Sequence, residues 1–163
     1  MSHKKAVKKK FIVKLSLLGF VIFFVFAVVQ ILDYSLIRPV TITNISEEGS
    51  VAWQIDMVRV DRNFTAITGW AFIPGQTPSD MAIKVVLQNP ETKESFELPT
   101  ALTERDDIND QYPDDIDYSK AGFLSRVNNQ FLDLEVASYD IYIKFISRGQ
   151  HVFIKTDQVV SKP

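Results

Sequence analysis

Between Thr100 and Lys120 the chain carries seven acidic side chains: Glu104, Asp106, Asp107, Asp110, Asp114, Asp115 and Asp117. Carboxylates this dense on one connection suit two chemistries. Glycosidic hydrolysis needs a rigid pair about 5–9.5 Å apart, one member with a raised pKa. A hydrated loop provides neither rigidity nor burial, so hydrolysis is not expected. Calcium needs several oxygens at about 2.3–2.6 Å. The candidate calcium ligands are Asp106, Asp107 and Asp110. Their spacing lacks the tight-turn glycine and the closing glutamate of an EF-hand. The loop therefore reads either as a calcium site or as a solvated acidic loop whose aspartates cap turns. No cofactor other than calcium fits the pattern. There is no cysteine, which removes thiolate metal sites and disulfides, and the only histidines are His3 and His151. A serine–histidine relay has no G-x-S-x-G to rest on, and the chain is expected to be non-catalytic.

Sugar binding is the remaining local chemistry. It uses aromatic faces against sugar rings and carboxylates or amides for hydroxyls. Tyr112 and Tyr118 flank the acidic loop and are expected to be exposed. Tyr142 alternates with Ile141 and Ile143 and is expected on the open face of a sheet. Asp114, Asp115 and Asp117 would supply the carboxylates. Trp70 and Phe72 are two residues apart and are expected to point together into the core. Arg105 and Arg126 are expected to pin the long connection through ion pairs.

The elements that must hold these residues are strands. Trp53, Ile55 and Met57 alternate with polar neighbours. Phe64 to Phe72 is β-branched and aromatic and ends at Pro74-Gly75. Met81, Ile83, Val85 and Leu87 share a face, and Asn89 to Lys93 turns the chain into Ser95–Leu98. Ala121 to Val127, Tyr139 to Phe145 and His151 to Val160 complete about seven strands. The expected fold is all-β: an immunoglobulin-like antiparallel β-sandwich at 51–163, preceded by one transmembrane α-helix. A small closed barrel is the alternative. Residues 33–50 read as a linker, with Arg38-Pro39 and Ser46 to Ser50 as its breaks.

The transmembrane expectation rests on residues 11–32. Leu15 to Leu32 holds no charge over 18 residues, a reach of about 27 Å against a hydrocarbon core of about 30 Å. The run is longer than a signal-peptide core, and Ala27-Val28-Val29 is a poor cleavage site. Six lysines precede it (Lys4, Lys5, Lys8, Lys9, Lys10 and Lys14) and form, with residues 1–10, a basic cytoplasmic tail. Residues 34–163 carry 12 basic and 19 acidic side chains, a balance of −7. That sign argues against nucleic-acid binding. The expected location is the cell membrane, single-pass, with the amino terminus inside and the carboxy-terminal domain outside.

Four short motifs run in order: Gly69-Trp70-Ala71-Phe72, Arg105-Asp106-Asp107-Ile108, Ala121-Gly122-Phe123 and Tyr139 to Ile143. This order resembles small β-sandwich modules associated with bacterial glycosyltransferases and other cell-surface polysaccharide assembly proteins. Ile108 stands where those modules carry valine, and these 163 residues show no glycosyltransferase domain. The resemblance implies a structural part for Gly69, Trp70, Phe72, Arg105, Gly122 and Phe123, and no catalytic residue. It implies a binding or scaffolding module beside glycan assembly. Its partners would be the bilayer, membrane or envelope proteins including glycan assembly enzymes, and the polysaccharide itself. The alternative is a subunit of a membrane complex unrelated to glycans, acting through protein–protein contacts.

Overall fold

The computed structural model describes residues 14–29, 37–45, 51–78, 81–113, 115–135, 137–147 and 150–162. The chain forms two units, Met1–Leu36 and Ile37–Pro163.

In the first unit the described residues form helix α1, 14–29. Its large apolar side chains, from Leu15 to Val29, are all exposed. Among the described residues no helix is long and apolar enough to cross a membrane. The apolar segment 11–32 extends past both ends of α1, outside the described residues.

The second unit is built from two antiparallel sheets. Its strands are β1 (Arg38–Pro39), β2 (Ala52–Val60), β3 (Phe64–Phe72), β4 (Met81–Gln88), β5 (Ser95–Glu97), β6 (Thr100–Thr103), β7 (Gly122–Asn128), β8 (Tyr139–Ser147) and β9 (Gln150–Val160). One sheet has the order β1-β5-β4-β8-β9 and the other β2-β3-β7-β6. The architecture is β-sandwich-like: Ile55, Ile67, Phe123 and Val127 of the second sheet share one core with Ile83, Val85, Leu87, Ile141, Ile143 and Phe145 of the first. Burying each such side chain contributes about 1.5–3 kcal/mol.

Alternation reads directly in β8, where Tyr139, Ile141, Ile143 and Phe145 all face inward and are buried. It fails in β2. The ladder to β3 pairs Ile55 with Gly69 and Met57 with Thr68, so Asp56 is an extra residue in a bulge. The bulge reverses the face. Val58 and Val60 pack on the core, while Met57 turns outward and is exposed.

Among the described residues two strands, β1 and β6, lie where the sequence reads none. β6 occupies the first residues of the expected 100–120 loop and pairs with β7. The rest of that connection contains a short helix α2 (Asp107–Gln111) and a 3-10 turn (Ser119–Ala121). β1 pairs with β5 inside the segment read as linker. From there residues 40–45 cross the outer face of the five-stranded sheet. The Val40 N–H donates to Ser95 O (3.0 Å) beside β5, and the Phe153 N–H donates to Asn44 O (3.2 Å) on β9, at the far edge. Residues 46–50 and 33–36 lie outside the described residues.

Candidate functional site

The acidic connection folds down onto the outer face of the four-stranded sheet. On β3 the even-numbered residues point to that face. Trp70 and Phe72 therefore leave the core between the sheets and form a second cluster with Ile108, Tyr118 and Ala121, against which Tyr112 packs. The expectation that they face one way holds, but that way is outward, under a cover. The sequence carries the signal in Trp70-Ala71-Phe72, which is buried on both faces and so requires something on each.

Tyr118 corrects the expectation of exposure. It is fully buried. Its ring stacks on Phe72 with centroids 4.0 Å apart, and its hydroxyl accepts the Gly75 N–H at 2.9 Å. Tyr112 is half-buried and meets Phe72 edge-on at 4.9 Å. Tyr142 is corrected too. It lies on the face opposite Ile141 and Ile143, but the crossing segment covers it, and it packs with Val86, Phe153, Val40 and Ile42. Neither buried tyrosine offers a ring face to a sugar.

The charged residues of the connection hold it in place. Arg105 forms a two-pronged pair with Asp107, Nε–Oδ1 and Nη2–Oδ2 both 2.7 Å. Its Nη1 donates to Asp56, the bulge residue of β2. The bonds to Asp107 and then Asp56 raise the Arg105 pKa above its ordinary value, and the same Arg105 bond lowers that of Asp107. Asp117 accepts from Asn109 Nδ2 (3.0 Å) and from the Ser119 N–H (2.9 Å). Led by the Asn109 bond, these hold its carboxyl down to about 2. Asn109 Oδ1 in turn accepts the Tyr118 N–H at 2.7 Å. Asp106, Asp110 and Asp115 are exposed, and Asp114 lies outside the described residues. Among the described residues no three acidic or histidine side chains come close enough to hold a metal ion. Among the described residues Arg126 makes no ion pair with the acidic connection. Its guanidinium lies 3.9 Å from the centre of the Phe64 ring.

Two glycines make this arrangement fit. A Cβ on Gly69 would stand 2.2 Å from Gln54 O and 2.8 Å from Phe123 Cζ. A Cβ on Gly122 would stand 2.6 Å from Arg105 Cγ and from Thr103 O, so its absence makes the channel along which Arg105 reaches Asp56.

Sequence reasoning missed a groove on the other sheet. It is about 550 Å³ and runs between the crossing segment (Thr41, Ile42) and the β4–β5 hairpin (Gln88, Lys93, Glu94, Phe96). Asn89 builds the hairpin, its Oδ1 accepting the Glu91 and Thr92 N–H groups. No signal in the strand pattern marks this groove, because one wall is the segment read as linker.

Compared with protein-family models, curated proteins and solved structures, the chain matches none.

Proposed function

We propose that this chain is a non-catalytic, membrane-anchored binding or scaffolding module, with an immunoglobulin-like sandwich outside the cytoplasm, serving cell-surface polysaccharide assembly. One observation carries the non-catalytic part. The Arg105, Asp107, Asp117 and Asn109 groups are bonded to one another or to the sheet, and the aromatic side chains beside them form a packed cluster. A carboxylate spent on holding a loop has no raised pKa with which to act as an acid. Binding then belongs to open surface, and the groove by Thr41 and Lys93 provides it. The anchor is supported by the exposed apolar side chains along α1, which suit lipid. The glycan context is supported by the resemblance alone.

The test is a photo-crosslinking residue in place of exposed Thr41, in the full-length chain, in native membranes. Adducts with a glycosyltransferase, a polysaccharide exporter or the polymer are expected. Adducts confined to a membrane complex without glycan machinery would replace this reading with the protein-complex alternative.

A further inference from the structure

The outer face of the four-stranded sheet has two unlike ends. Residues 104–121 cover the end with Trp70 and Phe72. The other end is open. There the ladder sets Arg59, Ala66 and Arg126 in one row, and Met57, Thr68, Leu124 and Ala101 in the next. Met57 and Leu124 are large apolar side chains at 44% and 40% exposure. Phe64 lies under both guanidiniums, 3.9 Å from Arg126 and 6.0 Å from Arg59. Arg59 pairs with Asp61 at 3.0 Å. Arg126 has no acidic partner among the described residues, and its stacking on Phe64 holds it ready. Arginine, methionine and aromatic side chains grouped like this are the composition of interface centres.

We propose that the occupant of this face is a second copy of the same chain, related by a two-fold axis through the Met57–Leu124 row. Charge complementarity selects it. The arginine row is a local exception on a domain whose residues 34–163 carry a balance of −7. The acid that would match it is on the same face: Asp106, Asp110 and Asp115 are exposed on the covering connection. Along β7 the two ends are six residues apart, from Gly122 to Asn128, a separation of about 20 Å. A two-fold axis midway between them lays each copy's acidic connection over the other's Arg59 and Arg126. Shape agrees with charge. The connection stands one layer above the open end, so two such steps interlock and bring Met57 and Leu124 together at the axis. This contact uses the sheet opposite the Thr41 groove, so it stands or falls separately from the proposed function.

The test measures the mass of the full-length chain in detergent by light scattering, for wild type, Arg59→Glu/Arg126→Glu, Asp110→Lys/Asp115→Lys, and an equal mixture of the two variants. The wild type is expected as a dimer at about 10 µM that dissociates in about 1 M salt. Each variant alone sets like charge against like and is expected as a monomer, weakened at least about tenfold. The mixture restores both opposite-charge contacts and is expected to recover the dimer, which also shows that both variants are folded. A monomeric wild type would overturn the proposal. So would variants that stay dimeric on their own, which would place the contact elsewhere, such as on α1. A mixture that stays monomeric would overturn it as well.

Discussion

At Gly69 a single methyl group meets backbone rather than a movable side chain, since the nearest atom to an added Cβ is Gln54 O at 2.2 Å. Neither β2 nor β3 can yield without breaking the ladder beside the Asp56 bulge. Gly69→Ala is therefore expected to cost about 2–3 kcal/mol, read as a lower denaturation midpoint at unchanged slope. A midpoint equal to wild type would mean the two strands separate more easily than their register implies. The acids of the covering connection respond to pH rather than to space. Asp117 titrates at about 2 in the folded chain, against about 3.9 when unfolded. A lowered folded pKa gives stability that is complete above the unfolded value and is lost as pH falls through the folded one. Asp107 shifts in the same direction, through Arg105. The stability difference between wild type and Asp117→Ala is thus expected to be constant above about pH 5 and to shrink between about pH 4 and pH 2. A difference that does not change with pH would mean Asp117 acts by turn geometry and not by charge.

Two elements decide how the sandwich is covered: the bulge in β2 and the segment that crosses β5, β4, β8 and β9. The bulge places Asp56 within reach of Arg105, so a double-mutant cycle on Asp56→Ala and Arg105→Ala is expected to show coupling. Both side chains are about a quarter exposed, and solvent screening holds the coupling to about 0.5–1 kcal/mol. Additive effects would mean that the pair forms without holding the connection. The crossing segment lays Val40 and Ile42 on Val86, Tyr142 and Phe153. Ile42→Asp puts a charge into that contact and is expected to lower stability by about 2 kcal/mol and raise the accessibility of Tyr142. An unchanged denaturation midpoint would mean the segment contributes no packing. The same two elements explain what was legible in the sequence. β8, β4 and β3 announce themselves, because a strand with one buried face alternates and a strand with two is apolar throughout. Met57 misleads, because one inserted residue reverses every side chain after it. Tyr142, Trp70 and Phe72 mislead for another reason. Period-two reasoning gives the face and says nothing about what lies on it. The covers come from segments without periodicity: Val40 and Ile42 in an apparent linker, Ile108 and Tyr118 in an apparent acidic loop. Buried runs on both faces, Trp70-Ala71-Phe72 and Val85-Val86-Leu87, were the available sign that such covers exist.

For the molecule as a whole, the proposed placement rests on the distribution of charge. Six lysines stand before the apolar run, and the first basic residue after it is Arg38. The described helix 14–29 reaches about 24 Å, and the full apolar segment 11–32 would reach about 33 Å if helical throughout, which matches a hydrocarbon core of about 30 Å. On the proposed anchoring, the lysines set orientation, because moving them across the bilayer is the costlier choice. The chain is then expected to stay with membranes through an alkaline wash, and protease added from outside should digest the 51–163 domain while sparing the amino-terminal tail. Replacing Lys8, Lys9 and Lys10 by glutamate leaves three lysines before the run and adds three acids. That change is expected to protect a measurable share of the domain from external protease by inverting it, while the share held by the membrane stays the same. Release of the wild type by the alkaline wash would refute the anchor itself. Retention with no inversion in the lysine variant would keep the anchor and transfer control of its orientation from the lysines to the folding of the domain that follows.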